Sequence, residues 1–405
     1  MSDLLPVDEA LKRILDGVDL VSSETVELHD AADRVLAQPL KALRTQPPFP
    51  ASAMDGYAVR ASDVQTVPVN LTVIGESAAG HGFSGTVKAG NAVRIFTGAP
   101  VPKGADTIVI QEDVDRVSET EINVREGAPA GKYVRPAGLD FSEGDELIGA
   151  YEPMTPGSLS LAAAMNHAEL TVFRKPRVAL ISSGDELLPP GSNLGPDQII
   201  ASNTYGVKAL LERAGATCLD IGIAADTLEA LEDAFSKADA FEPDVIVTSG
   251  GASVGDHDLV RQALERRGVS LNFWKLAMRP GKPVMFGTGN RNGTTVRYIG
   301  LPGNPVSSLV CTTIFLVPLV REHLGLSTQT LRRTAILAEE IAPNDQREEY
   351  MRAVCERRDG KDYVTAAPSQ DSSIIHLYQQ ANCLIIRPAF SPLMPKGSNV
   401  DIIDL

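Results

Sequence analysis

The most constraining feature of this sequence is an alternation of short apolar runs and helical segments that begins at Arg177. The β-branched run at 245–247 is short enough for a buried strand, and the segments 204–214 and 228–238 carry the boundary residues of helices. Repeated strand–helix units fold as a mostly parallel sheet with helices on both faces. The sequence therefore predicts a central three-layer α/β domain over residues 176–328.

Four loops of this domain directly follow predicted strands. They are SSGDEL at 182–187, the loop at Asp226, SGGASVGDHD at 249–258 and LPGNPVSS at 301–308. Because ligands of open parallel sheets bind at the carboxyl ends of the strands, all four loops are expected at one binding edge. Their glycines let the backbone approach a ligand closely, and their free amides and hydroxyls suit an anion.

Charged side chains accompany these loops. The carboxylates of Glu186, Asp226 and Asp258 can hold a divalent cation such as Mg²⁺, which in turn can bridge to phosphates. Basic residues follow nearby: Lys275, Arg279 and Lys282. Taken singly, Glu186 is more often a helix-start acid and Lys282 a solvated lysine. Their convergence on one edge favours a polyphosphate-type ligand that binds with a divalent cation.

Composition limits the classes of partner. The 405 residues carry a formal net charge of −15, which argues against general binding of nucleic acid or of anionic membranes. The four cysteines are widely scattered without a CxxC pair, so we expect reduced thiols rather than disulfides or structural zinc. We find no signal-type apolar segment at the N-terminus and no apolar run of membrane-spanning length, and we expect a cytoplasmic protein.

The remaining sequence divides into three further regions. Residues 1–50 and 135–175, with helices predicted at 7–18, 30–36 and 156–166, form a discontinuous N-terminal linker domain. Residues 51–134 alternate apolar and polar positions between glycine and proline breaks, which is typical of a small β domain. Residues 329–405 contain strands without a predicted helix, and their short lengths fit a barrel or a compact sandwich equally well.

Seven motifs resemble one family, the molybdopterin molybdenumtransferases, which include bacterial MoeA proteins and the C-terminal domain of gephyrin. In chain order they are SAMDGYAV, FTGAPVPKGADTIV, SSGDEL, SNTYGVKALLERAG, VTSGGASVGDHD, WKLAMRPGKPVMFG and LPGNPVSS. The resemblance covers essentially the whole chain. It implies a four-domain homodimer with a C-terminal β-barrel and an active site at the subunit interface. It also implies the reaction: adenylylated molybdopterin and molybdate, assisted by a divalent cation, give molybdenum cofactor and AMP.

The resemblance also assigns roles to residues of this chain. The implied catalytic acids are Glu186, Asp226, Asp258 and Asp55, of which Glu186 and Asp226 are the implied metal ligands. The implied substrate-binding residues are Thr97, Ser182, Gly184, Ser249, Gly250, Gly251, Ser253, Gly255, Lys275, Lys282, Gly303, Asn304 and Ser307. The implied molybdate-binding residues are Arg279, Pro302, Pro305, Arg347 and Ser372. Asp55 and Thr97 match motifs that reach the active site from the other subunit of the family dimer.

The sequence departs from the family pattern in two places. Arg279 occupies a position where the family commonly has lysine, and Asp371 and Ser373 occupy positions that are usually glycine. An acid beside molybdate would weaken the role of Ser372, or indicate a preference for tungstate.

Two rival interpretations remain. A competence-damage-type nucleotide hydrolase shares the α/β domain, and a gephyrin-like scaffold shares the whole architecture. The retained acids favour the enzyme. Contact with the upstream adenylyltransferase is a further expectation.

Overall fold

The computed structural model describes residues 4–250, 259–291, 293–329 and 331–405. The chain groups into two compact units, one built from the described residues up to Glu24 together with Phe173–Leu405, and the other from Thr25–Val172. The predicted four-domain division is finer than this grouping and stays a prediction.

The first unit contains a six-stranded mixed sheet, which confirms the predicted α/β fold. Its first, second, third and sixth strands in chain order pair in parallel. The fifth pairs antiparallel with the sixth, and the fourth pairs antiparallel with the fifth at the edge of the sheet. In chain order the strands are Arg177–Ser183, Thr217–Ala224, Val245–Ser249, Ser270–Phe273, Met285–Arg291 and Thr294–Leu301. Phe235, Ile246 and Val260 belong to the apolar core that the sheet shares with its helices.

The register brings the ends of the four parallel strands level with one another. Ser183 pairs with Ala224, Ser182 pairs with Ser249, and Ser249 pairs with Leu301. The four predicted loops therefore begin side by side at one edge of the sheet. This part of the expectation is confirmed by the topology.

Helices cover both faces of the sheet. In chain order they are Val7–Leu15, Asn203–Arg213, Leu228–Asp239, Leu259–Arg266 and Pro305–Cys311, the last of which continues through the π-helical Thr312–Leu316 into Val317–His323. The continuous segment Pro305–His323 has the length and apolar composition of a membrane span, although the sequence analysis found no such run. Because 67% of its apolar window is buried in the protein, we interpret this segment as a core helix.

A buried polar cluster joins the N-terminal helix to this domain. Arg297 is 2% exposed and donates from Nε to the Ile14 carbonyl oxygen (3.2 Å) and from Nη2 to the Asp16 carbonyl oxygen (2.9 Å). Nearby, Asp244 accepts two 2.7 Å hydrogen bonds from the guanidinium of Arg174. His323 is also buried, and its Nδ1 lies 2.9 Å from the Asp19 carbonyl oxygen.

His323 should make the stability of the protein depend on pH. Burial lowers the pKa of His323 below its ordinary value of 6.5. The hydrogen bond to the Asp19 carbonyl oxygen and the charge of Asp244 oppose that shift, and the charges of Arg297 and Arg174 reinforce it. The unfolded chain then takes up the proton more readily than the folded one, so stability falls as the pH drops through the ordinary histidine range. We expect the melting temperature of the wild type to fall more steeply from about pH 7.5 to about pH 5.5 than that of His323→Gln. Parallel slopes in the two proteins would contradict this role.

The C-terminal residues form a closed five-stranded barrel, which decides between the barrel and the sandwich. Closure follows because Glu348–Arg358 pairs with Lys361–Ala366 on one side and with Cys383–Arg387 on the other. The remaining barrel strands are Arg332–Leu337 and Asn399–Asp404. The short strand Met278–Arg279 pairs in parallel with the barrel at Glu348 and Glu349.

Two helix predictions are wrong. The predicted absence of helices after Leu331 fails because Ile375–Gln380 forms a short helix, which packs against Glu348–Arg358 and Pro305–Cys311. The helix predicted at 30–36 is also absent. There, a 3₁₀ turn at Leu28–Asp30 is followed by Asp33 at φ +59°, a backbone conformation that interrupts a helix.

The second unit is mostly β structure, as predicted for residues 51–134. Its six-stranded sheet has the order Thr107–Ile110, Gly56–Val59, Asn91–Ile95, Val69–Ser77, Glu121–Val124 and Val114–Arg116. The short strands elsewhere in the described chain are Ser23–Glu27, Leu40–Lys41, Ala51–Ser52, Val134–Arg135, Glu146–Ile148, Glu169–Phe173, Leu187–Leu188 and Ile199–Ile200. The helix Pro156–Ala164 begins at Thr155, whose hydroxyl caps it by accepting from the Ser158 N–H (3.2 Å).

Candidate functional site

A cavity of about 490 Å³ opens at the edge where the four parallel strands end. We call it the sheet-edge cavity. Its wall carries Ser182, Ser183 and Ser249, with Glu186 beside them. All three serines are at most 5% exposed, because they terminate strands in the middle of the sheet. The cavity therefore presents hydroxyls and glycine backbone, with a carboxylate beside them.

Gly250 fits this edge only as glycine. Its φ is +91°, and a Cβ built there would lie 2.2 Å from the Ser183 carbonyl oxygen. The chain leaving the Val245–Ser249 strand thus passes directly against the neighbouring strand end. Gly184 is restricted less strictly, by its backbone at φ +150°, because the atom nearest to an added Cβ would be Glu186 Oε2, the end of a flexible side chain.

Three carboxylates gather on two adjacent loops. Asp185 Oδ1 accepts the Asp226 N–H at 2.9 Å, which ties the loop after Arg177–Ser183 to the loop after Thr217–Ala224. Partial burial, together with the negative charges of Asp185 and Glu186, raises the pKa of the Asp226 carboxyl. Within the described parts of the chain, no three acidic, histidine or cysteine side chains form a complete metal-binding group. We call Asp185, Glu186 and Asp226 the acidic rim. A cation bound there would take its remaining ligands from a bound molecule or from residues outside the described ones.

A second cavity of about 720 Å³ lies where the α/β domain meets the barrel. We call it the barrel-side cavity. It shares Gly303 and Asn304 with the sheet-edge cavity. Among its lining residues, the predicted site residues are Arg279, Lys282, Pro302, Gly303, Asn304, Ser307, Arg347 and Ser372. Asn304 Nδ2 donates to Ser372 Oγ at 2.8 Å, so the sequence-distant Ser372 is brought to the loop after Thr294–Leu301.

The barrel-side cavity is the cationic part of this edge. The guanidinium of Arg279 is 53% exposed and lies 3.2 Å from Glu349, whose other oxygen lies 3.0 Å from the buried Arg387. Arg347 pairs with Asp345 at 2.6 Å. Lys282 is exposed and makes no ion pair with residues that the structure describes. One carboxylate shared by two arginines leaves net positive charge here, which suits a small anion.

The loop at 369–374 is held from beneath by Arg352. This arginine is 1% exposed and donates to the carbonyl oxygens of Ser369, Asp371 and Ile374 at 3.0–3.1 Å. The Asp371 carboxylate accepts from the backbone N–H (2.9 Å) and the hydroxyl (2.8 Å) of Ser373. The same two hydrogen bonds hold the pKa of Asp371 below its usual range. The acid that departs from the family pattern is thus engaged by its own loop, although its residue lines the cavity.

Asp55 and Thr97 lie together in the second unit. Asp55 Oδ1 accepts from the backbone N–H of Thr97 at 2.7 Å and from its hydroxyl at 2.8 Å. These bonds hold the pKa of Asp55 below its ordinary value. Although their motifs are well separated in the sequence, Asp55 and Thr97 are joined by hydrogen bonds and form one polar group.

Some predicted residues fall elsewhere. Lys275 lines neither cavity, and Asp226 contributes to the acidic rim without lining the sheet-edge cavity. Pro305, assigned to molybdate, lines the sheet-edge cavity instead. Four predicted residues lie outside the described residues: Gly251, Ser253, Gly255 and Asp258.

Three residues at the site were missed by the sequence analysis: Asp185, Asn203 and Ser183. Asp185 and Ser183 stand inside a motif that was recognised, next to residues that were chosen. Asn203 carried the signal of a helix start, which is the ordinary role of asparagine in such a pattern. Only its contacts distinguish it from a capping residue.

Profiles of known protein domains match three stretches that together cover most of the chain. The MoeA N-terminal region (domain I and II) matches residues 5–166. A probable molybdopterin binding domain matches residues 179–322, and the MoeA C-terminal region (domain IV) matches residues 334–405.

Whole proteins give the same result. The chain is 37% identical over 323 residues to a molybdopterin molybdenumtransferase of Haemophilus influenzae, covering 80% of this chain and 78% of that protein. It is 34% identical over 390 residues to the enzyme of the same name from Nostoc, covering 95% of this chain and 89% of that one. A crystal structure of a molybdopterin biosynthesis MoeA protein from Pyrococcus horikoshii superposes with a TM-score of 0.85 at 29% identity, covering 99% of each chain.

Proposed function

Because this chain belongs to the molybdopterin molybdenumtransferase family, we propose that its two adjoining cavities bind the two substrates of the family reaction. The chain is an enzyme of that type and acts in molybdenum-cofactor biosynthesis by inserting molybdenum. The substrates are adenylylated molybdopterin and molybdate, and the products are molybdenum cofactor and AMP.

The observation that carries the assignment of the cavities is their different chemistry. The sheet-edge cavity offers buried hydroxyls and the glycine backbone at Gly250, which suit the phosphates of the adenylylated pterin. The barrel-side cavity offers Arg279, Lys282 and Arg347, which suit a tetrahedral dianion such as molybdate. Because Gly303 and Asn304 line both, two ligands bound there would be neighbours.

The acidic rim suits a divalent cation. Its oxygen ligands are of the type that Mg²⁺ prefers, and Mg²⁺ commonly binds through one or two carboxylates together with substrate phosphates. The raised pKa of Asp226 fits this proposal, since partial burial and the neighbouring negative charges disfavour the carboxylate until a cation compensates them. Glu186 and Asp226 would hold the ion, which when bound supplies neutralisation of the phosphate charge.

The chain's own residues would then act chiefly by positioning and electrostatics. Cleavage of a phosphoanhydride places negative charge on phosphate oxygens, and fixed donors aimed at those oxygens lower the barrier. The hydroxyls of Ser182 and Ser249 are such donors. Arg279 and Arg347 would hold molybdate on the other side of Asn304.

The family resemblance supports three further assignments. In a homodimer, Asp55 and Thr97 of one subunit would complete the active site of the other. The upstream adenylyltransferase is the natural partner for substrate delivery, since it makes the adenylylated pterin. A cytoplasmic location fits the reduced cysteines and the substrates. The cross-subunit contribution is testable by mixing inactive Asp55→Asn and Glu186→Gln subunits, which should restore part of the activity.

The rival interpretations are disfavoured. A competence-damage-type hydrolase would not account for the matched N-terminal and C-terminal MoeA regions. A pure scaffold has no use for the acidic rim or for the cationic cavity beside it.

One assay tests the reaction. Purified protein incubated with adenylylated molybdopterin, molybdate and Mg²⁺ should release AMP and form molybdenum cofactor, measured by chromatography and by reactivation of a cofactor-free molybdoenzyme. Chelation of the cation should stop both. Release of AMP without cofactor formation would indicate the hydrolase, and the absence of both would indicate the scaffold.

The barrel-side cavity is tested by Arg279→Ala. Removing one charged donor should raise the molybdate concentration needed for half-maximal rate by about 10–100-fold, because a hydrogen bond to a charged group contributes roughly 1.5–3 kcal/mol. Lys208→Ala, on the exposed face of the Asn203–Arg213 helix, is the control and should behave as the wild type. An unchanged molybdate requirement in Arg279→Ala would remove this residue from the site. Repeating the titration with tungstate measures whether the protein prefers tungstate to molybdate, the preference that the acid at Asp371 suggested.

A further inference from the structure

Asn203 makes two contacts that a helix cap does not need. Its Nδ2 donates to Ser249 Oγ at 3.0 Å and to the Gly303 carbonyl oxygen at 2.8 Å. A carbonyl oxygen only accepts, so the amide must present its nitrogen to Gly303, and both Nδ2 protons are then used. Asn203 is the first residue of the Asn203–Arg213 helix, and the capping position before it belongs to Ser202.

These contacts determine what Ser249 can do. Its Oγ accepts the Asn203 proton, so the single hydroxyl proton of Ser249 must point away from Asn203. Within the described chain this hydroxyl donates to no other group, and Ser249 is 5% exposed on the wall of the sheet-edge cavity. Since Nδ2 is a donor, Asn203 cannot take the Ser249 proton, and none of the described residues accepts a hydrogen bond from this hydroxyl as a general base would.

A second buried hydroxyl on the same wall points to a ligand. Ser183 is 2% exposed, lines the sheet-edge cavity, and its Oγ has no hydrogen-bond partner among the described residues. Leaving a buried hydroxyl without a partner is unfavourable, so such groups normally bind water or ligand. Two adjacent strands thus bring buried hydroxyls to the wall of one cavity, which suits the binding of an anionic oxygen.

We propose that Asn203 is a positioning residue for the family reaction: it orients the Ser249 hydroxyl as a donor to a phosphate oxygen of the substrate. Through Gly303 it also holds in place the loop shared by the two cavities. This inference rests on the proposed binding of the adenylylated pterin in the sheet-edge cavity. It assigns Ser249 to the binding of a phosphate oxygen.

The test compares Asn203→Asp with Asn203→Ala. Aspartate has the same shape but accepts where the amide donated, so it turns the Ser249 proton toward itself and repels the Gly303 oxygen and the phosphate. We expect the KM for adenylylated molybdopterin to rise by about 10–100-fold in Asn203→Asp and by roughly 10-fold in Asn203→Ala, with a smaller effect on kcat. The deficit of Asn203→Asp should shrink as the pH is lowered from about pH 6 to about pH 4, the range in which an ordinary aspartate carboxyl takes up its proton and regains a donor.

Two controls separate positioning from folding. Asn272→Asp makes the same chemical change at an exposed strand position that lines neither cavity, and its KM and pH profile should match those of the wild type. In a Ser249→Ala background, adding Asn203→Ala should raise KM by several-fold less than it does alone, since residues that act through each other are non-additive.

Certain results would overturn the inference. One is that Asn203→Asp loses kcat to the same extent at every pH and also has a lowered melting temperature. Another is full additivity with Ser249→Ala. If the wild type itself releases no AMP, the proposed function fails first, and that result is distinct from any outcome of the comparison of variants.

Discussion

Glu186→Gln should lower the rate of AMP release by about 10²–10³-fold while leaving the melting temperature unchanged. Losses of this size follow the removal of one preorganised electrostatic contact in other enzymes. Glu186 is exposed at the edge of the sheet-edge cavity, so the isosteric amide should fold normally. It would nevertheless lose the charge that is proposed to hold the cation. The measurement is a single-turnover assay of AMP release under saturating Mg²⁺.

The matched control for this substitution is Glu229→Gln. Glu229 is an exposed acid in the first turn of the Leu228–Asp239 helix and lines neither cavity. Wild-type rates in Glu229→Gln and loss in Glu186→Gln would localise the effect to the site. Wild-type activity in Glu186→Gln would remove Glu186 from the mechanism.

Gly250→Ala should both destabilise the protein and weaken binding of the adenylylated pterin. The new Cβ would lie 2.2 Å from the Ser183 carbonyl oxygen, on a residue at φ +91°, so the loop must move away from the neighbouring strand. Strain of this kind costs roughly 1–3 kcal/mol, and the displaced loop no longer presents its backbone to the ligand. We expect a lower melting temperature and an increase in KM of at least about 10-fold.

Gly191→Ala provides the control for conformation alone. Gly191 has φ +90°, and a Cβ added there would meet no heavy atom within 4 Å, so this substitution bears the backbone penalty without the collision. Its activity should stay near that of the wild type. If Gly250→Ala and Gly191→Ala behave alike, the close approach of Gly250 to Ser183 has no functional consequence.

Much of the site was predictable because its residues directly follow strands. Ser182, Ser249 and Gly303 stand in loops that were expected at this edge, and each lines at least one of the two cavities. Gly184 lies between Ser183 and Glu186, which line the sheet-edge cavity, but is not itself a lining residue. Their placement required only that parallel strands end at a common edge. Lys275 was chosen because it matches a family position, and it lines neither cavity.

The supporting contacts were not predictable in the same way. From the sequence, Arg352 is only one polar residue in an alternating strand pattern. In the structure it donates hydrogen bonds to three carbonyl oxygens of the 369–374 loop. Asp371 reads as an acid that would repel molybdate, yet its carboxylate is engaged by Ser373. Both roles depend on how a loop folds back over its neighbours.

The α/β fold and the four loops that form its binding edge follow from the amino-acid pattern. This information is local, because the periodicity of apolar residues selects strands and helices within a few residues. The choice of a barrel over a sandwich, the second cavity and the role of Asn203 became evident from the folded structure. The contacts of Asn203 span 46 and 100 residues, so they exist only once strand order and register have brought Ser249 and Gly303 together. Hydrogen bonds form within about 3 Å, and no local pattern specifies which distant groups come that close.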